Sequence, residues 1–302
     1  MSSSSPATAV PHDGTDAEAR PLAAAEPTIL GLPVSFWPRI LAPIVVGILV
    51  LGLWEFAVRW NEVPSYVLPG PLLVGQTLIA DWGTLSASLW ITLCITFMAL
   101  AAAVIVGVAL AVLFTQSKWL EMALLPYAVI LQVTPIVAIA PLIIIWAGDI
   151  NLSLLICAWI VAFFPILSNT ILGLNSADHN LINFFQLHGA TRWQTLRYLK
   201  LPAALPYFLA GLKISGGLAL IGAVVAEFVA GTGGSESGLA YRILEAGYQL
   251  KIPRVFAALL MISLSGIAIF LATSLLSHLL LRRWRPPWAA PMRCIEGPAN
   301  DN

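Results

Sequence analysis

Six stretches of this chain are long and apolar enough to cross a bilayer, at about 40–58, 87–114, 122–147, 152–174, 206–231 and 255–281. A spanning helix needs roughly 20 mostly apolar residues, because the hydrocarbon core is about 30 Å thick and a helix rises 1.5 Å per residue. In lipid every backbone N–H and C=O must be paired within the protein, and runs of this length pair as helices. The rest of the composition agrees: 59% of the 302 residues are hydrophobic and only 10% charged, with mean hydropathy +0.88. An all-α polytopic membrane protein is therefore expected. A formal net charge of zero argues against nucleic acid as a partner.

Residues 1–35 are rich in Ala, Ser, Pro and acids and hold no apolar block, so they read as a disordered tail. They lack the basic start, short apolar core and cleavage site of a secretory signal, which leaves insertion to the first span. Residues 36–285 form the membrane domain and 286–302 a second tail. Cys94, Cys157 and Cys294 show neither a disulfide framework nor metal-type spacing.

Lys and Arg accumulate on cytoplasmic loops. With the N-terminus inside, the inner segments hold Arg20, Arg39, Lys118, Arg192, Arg197, Lys200, Arg282, Arg283, Arg285 and Arg293. The outer segments hold Arg59, Arg242, Lys251 and Arg254. Ten against four puts both termini and the 175–205 loop in the cytoplasm. The 232–254 loop is then external. Its Gly-Thr-Gly-Gly start lacks a phosphate-binding Lys-Ser/Thr pair, and a short helix is expected around 238–250.

The 175–205 loop is polar, basic and aromatic. Asp178 can cap a helix over about 179–187. Thr191 with Gln194 fits a capping box that starts another helix near Arg192. Gly189 stands between them, where a left-handed turn suits glycine. Trp193, Leu196 and Leu199 recur at spacing three and can share a face against the bundle, while Pro202 is expected to stop the helix at Leu201. An ordinary amphipathic loop at the interface would satisfy the same pattern.

The motif that decides between these is Gly189, nine residues, then Leu199-Lys200-Leu201-Pro202. It resembles the cytoplasmic loop of binding-protein-dependent ABC importer permeases, Glu-Ala-Ala, three residues, Gly, nine residues, Ile-x-Leu-Pro. Asn183-Phe184-Phe185 stands where Glu-Ala-Ala would be. The likeness runs from about 64 to 285, through Val67-Leu-Pro-Gly-Pro71, Pro135 to Leu142, Phe163-Phe-Pro-Ile-Leu167 and Ala226-Glu-Phe-Val-Ala230. It is most similar to the nitrate, sulfonate, taurine and pyrimidine-precursor branch.

The resemblance implies a type I (MetI-like) permease core in a bacterial inner membrane, forming a homodimer in the lipid bilayer. It also implies two cytoplasmic ABC ATPase subunits and an extracytoplasmic solute-binding protein. ATP would bind the ATPase, and no cofactor or catalytic residue is expected in this chain. Phe184, Phe185, Leu187, His188, Gly189, Ala190, Thr191, Arg192, Leu201 and Pro202 would form the ATPase-coupling loop.

Polar groups inside a span are costly and hence functional candidates. Gln132, Thr134 and Glu227 are candidates for the solute pathway. Glu227 could instead pair with Arg242 or Arg254. Glu55 is expected to reach the interface and Lys213 to snorkel to the cytoplasmic side. Small residues four apart in the fifth span, such as Gly211/Ser215 and Gly222/Ala226, allow close helix approach, within the chain or between two copies. The rival function is an ion-gradient-driven transporter or channel. An intramembrane enzyme would need a polar cluster, and His278 stands alone in its span.

Overall fold

The computed structural model describes residues 28–29, 32–33, 36–231 and 237–282, with side chains from 41 onward. The tails expected at 1–35 and 286–302 lie outside the described residues, apart from a minimal antiparallel pairing of Thr28–Ile29 with Leu32–Pro33. Eleven helices come next among the described residues. Most of the first, α1 (Phe36–Trp60), belongs to a unit ending at Phe56, and the remainder of the chain forms a second unit.

The second unit is built on α3 (Trp82–Gln116), α6 (Ile150–Leu174), α9 (Leu201–Ala230) and α11 (Ile252–Arg282). With α1, these pass as five candidate membrane spans. Shorter helices are α2 (Pro71–Ala80), α7 (His179–Leu187), α8 (Arg192–Thr195) and α10 (Leu239–Tyr248). The stretch read as one third span is two helices, α4 (Lys118–Val133) and α5 (Ile136–Ala147), bent by 103°. The break falls at Thr134-Pro135. Proline has no N–H and its ring clashes with the carbonyl four residues back, so the helix cannot pass straight through. The Thr134 N–H and hydroxyl both donate to the Ile130 carbonyl, at 3.0 and 2.7 Å, and close the end of α4.

The centre of the unit is the α6–α9 pair, and small residues are what let it close. A Cβ on Gly211 would stand 2.7 Å from the Pro165 carbonyl oxygen, and one on Gly222 would stand 2.8 Å from the Ala158 Cα. Between them the Ser215 hydroxyl donates to the Ala162 carbonyl at 2.7 Å. Without a hydrophobic force between helices in lipid, such close contact and interhelical hydrogen bonding hold a bundle together. Gly211, Ser215 and Gly222 are therefore used within the chain. Around them Ile166, Leu167, Leu174, Leu196, Leu209 and Phe114 make the main buried cluster.

Candidate functional site

The elbow between α6 and α9 is set by short-range bonds. The Asp178 carboxylate accepts from the Asn180 N–H at 2.8 Å and opens α7. At the other end Gly189 takes φ +69°, the left-handed region. The Gly189 N–H donates to the Gln186 carbonyl and the Ala190 N–H to the Phe185 carbonyl, at 3.0 and 2.9 Å. That pair of bonds is the Schellman closure of a helix. Two residues on, the Thr191 N–H donates to Gln194 Oε1 at 2.8 Å, and the Gln194 N–H to Thr191 Oγ1 at 3.3 Å. Both halves of the capping box are present, so the turn is rigid on either side of the glycine.

Pro202 does not end the helix at Leu201 as its place in the sequence predicts. A π-helical turn over Leu196–Lys200 carries the helix into α9, with the Leu201 N–H donating to the Leu196 carbonyl. In a regular helix Pro202 would clash with the Tyr198 carbonyl; the wider turn displaces that carbonyl, and Pro202 sits at the second position of α9. The helical run from Arg192 to Ala230 is 39 residues long. Leu201 and Pro202 are half-buried at its foundation rather than on the elbow.

The elbow's outer face is apolar. Phe184, Phe185, His188, Gly189, Ala190 and the later Gln194 and Tyr198 line one concavity of about 460 Å³. Phe184 stacks on the His188 ring at 4.2 Å, and His188 Nδ1 lies 2.9 Å from the Phe184 carbonyl oxygen. Leu187 is 86% exposed and Phe184 54%. Trp193 does not share the buried face with Leu196: it is 64% exposed, whereas Leu196 is 2% exposed in the main cluster. Exposed aromatics grouped on one basic segment make the elbow a candidate contact surface. Thr191 and Arg192 are exposed at the start of α8, and Arg192 lines a separate cavity. Gln194 and Tyr198 escape a reading of the sequence because each has a local explanation, one as a cap and one as a helix residue.

At the other end of α9, Glu227 is 3% exposed. Its Oε2 accepts from the Ala240 N–H at 3.0 Å, while Oε1 has no protein partner among the described residues. Beside it the Thr92 hydroxyl oxygen accepts from the Leu239 N–H at 2.9 Å. The carboxylate occupies the space in which a Cβ on Gly238 would lie. Glu227 and Thr92 thus cap α10 from two other helices. The arginines expected as partners go elsewhere: Arg242 to Glu245 and Ser88, at 2.9 and 3.1 Å, and Arg254 to Asp81 at 2.6 Å. The Arg254 guanidinium holds the Asp81 carboxyl below the usual carboxylate range. Lys213, expected to snorkel, has its ammonium 4.2 Å from the centre of the Phe270 ring on α11. Gln132 is exposed on the last turn of α4, and Thr134 is half-buried at the bend. The structure brings neither of them to Glu227.

Residues 103–286 match the family of binding-protein-dependent transport system inner membrane components. This chain belongs to that family. The permease is 34% identical over 267 residues to the riboflavin transport system permease protein RibX of Chloroflexus aurantiacus, a match that covers 87% of this chain and 97% of the relative. It is 33% identical over 249 residues to the formylaminopyrimidine transport permease protein ThiX of Halalkalibacterium halodurans, covering 82% and 96%. A crystal structure of an amino acid ABC transporter with histidines shares its fold, with TM-score 0.56 at 20% identity over 69% of this chain and 97% of the other. The permease thus has a MetI-like transporter fold.

Proposed function

We propose that this permease is the membrane subunit of an ATP-driven importer and that the α7–α8 elbow takes the push of a separate cytoplasmic ATPase. A single observation carries this: beyond the closed turn at Gly189 the apolar elbow leads straight into a helical run of 39 residues, Arg192–Ala230, that ends beside α10. Pressure on such an elbow is transmitted through a rigid rod rather than lost in a loop. At 1.5 Å per residue α9 alone spans about 45 Å, enough to reach from one membrane face to the other. The two ends of the solute path can therefore be opened alternately by rocking that rod.

In this scheme the permease works as a homodimer, with an extracytoplasmic binding protein delivering solute and both termini in the cytoplasm. Gln132 and Thr134, at the break between α4 and α5, are the pathway candidates. The backbone freed by such a break is tolerated in a membrane where it lines a cavity or packs on protein. Glu227 has a structural task as the cap of α10, which makes it the weakest of the three for solute contact. The riboflavin and formylaminopyrimidine relatives favour a small nitrogen heterocycle as solute, and the same fold serves other small molecules.

The test is uptake and ATP hydrolysis in vesicles holding the permease with its ATPase. Gly189→Trp, or Phe184→Ala with Phe185→Ala, should leave assembly intact but separate hydrolysis from uptake. Normal coupling in those variants would refute the role of the elbow. Uptake that persists after ATP depletion but stops when the ion gradient collapses would favour the secondary transporter instead.

A further inference from the structure

Two cavities, lined by the successive residues Lys200 and Leu201, differ in character: one is basic and of mixed polarity, the other almost wholly apolar. The first, of about 290 Å³, lies between the end of α3 and the elbow and is lined by Thr115, Gln116, Gln186, Arg192, Thr195 and Lys200. No carboxylate lines it, and neither Arg192 nor Lys200 has an ion-pair partner among the described residues. The second, of about 510 Å³, is apolar and opens between α3, α6 and α9, against Val104, Val108, Ala109, Leu201, Leu205 and Phe208. Lys200 lines the first and Leu201 the second. Along α3, Ala109 and Thr115 are six residues apart, about 9 Å. A headgroup layer is roughly 5–8 Å deep on each side of the hydrocarbon core, so a lipid whose headgroup lay in the first cavity could reach the second with its acyl chain. Trp119, 72% exposed on the first turn of α4, marks the same level, since tryptophan gathers at the membrane–water interface.

We infer that the paired cavities form one binding site for an anionic phospholipid, its phosphate between Arg192 and Lys200 and an acyl chain in the groove of α3, α6 and α9. A phosphate oxygen accepts charge-assisted hydrogen bonds from guanidinium and ammonium, and the Gln116 and Gln186 amides can donate to the same headgroup. Basic pockets between spanning helices on the cytoplasmic side suit anionic headgroups, and each cation contributes about fivefold to affinity. Arg192 also stands at the start of α8, so a lipid there touches the root of the elbow. This site is independent of which solute is carried.

The experiment uses the full-length permease in detergent, titrated with phosphatidylglycerol or with phosphatidylcholine of the same chains and read by native mass spectrometry. Phosphatidylglycerol should be retained several-fold more strongly than phosphatidylcholine. Lys200→Gln should cut that retention about fivefold, whereas Lys200→Arg should keep it. Ala109→Trp, which fills the groove from an exposed position, should weaken retention of both lipids. Each variant is first matched to the wild type in size-exclusion profile and melting temperature. Equal retention of the two lipids, or of phosphatidylglycerol by wild type and Lys200→Gln, overturns the proposal. Full displacement by inorganic phosphate would make it a free-anion site. A changed oligomeric state in Ala109→Trp with retention unaltered would assign the groove to a second copy. Either result also overturns it.

Discussion

The two ends of α9 solve the same problem in opposite ways. A short helix leaves its first N–H groups without partners, and something must accept from them. At the elbow the acceptors are neighbours in sequence: Asp178 serves Asn180, and Thr191 serves Gln194. At α10 they come from afar: Thr92 of α3 serves Leu239, and Glu227 of α9 serves Ala240. The first arrangement fixes the elbow's shape and leaves its surface exposed. The second ties α10 to two long helices, and it is buried. Local caps suit a part that is pushed; distant caps suit a part that must move with the helices it is tied to.

That contrast can be broken by mutation, and the largest effect is expected at Gly238. Gly238→Ala places a Cβ where the Glu227 carboxylate sits, and should cost about 3 kcal/mol through overpacking. It would be seen as a clear fall in melting temperature of the purified permease. Glu227→Ala should come next at about 2 kcal/mol, the penalty of a buried donor left without its acceptor. Glu227→Gln should recover most of that loss, because an amide oxygen can still accept from Ala240. If Gln were no better than Ala, the capping role of Glu227 would be wrong.

At the elbow, Thr191→Ala removes one exposed cap and should cost about 1 kcal/mol. The loss should be local: faster hydrogen exchange at residues 192–195 with little change in global melting. A global collapse would mean that the elbow is held by tertiary contacts after all. The smallest effect belongs to the ion pair of Asp81 with Arg254. A carboxyl held below its ordinary value favours the fold above the unfolded value and loses that advantage as pH falls through the folded one. The pair is partly exposed, so screening keeps it to about a few tenths of a kcal/mol. Asp81→Asn should flatten acid-side stability slightly in melts taken across pH.

The legibility of the sequence divides along the same line. The α7 helix, the glycine turn and the capping box were legible because each rests on bonds between near neighbours in the chain. The 103° bend at Thr134-Pro135 falls inside a stretch whose apolar length reads as one span, because length says nothing of where a helix breaks. Pro202 misled because its effect on a helix depends on the turn before it, and a π-helical turn is not written in any short pattern. Trp193 misled because spacing alone does not say which side of a helix meets the bundle. The cap on α10 left only a negative trace, an amphipathic helix whose cap position is Gly238, which has no side chain to accept from the first turn.

By itself the sequence determined that the chain is a set of membrane helices with a stiff, basic, aromatic elbow, because hydrophobic length and helix capping act over neighbouring residues. Only the tertiary structure decided that Gly211 and Gly222 serve the α6–α9 contact, that Lys213 rests on Phe270, and that Glu227 is a cap. Those outcomes depend on which backbones approach within a few ångströms. Distance through space between residues far apart in the chain has no local code.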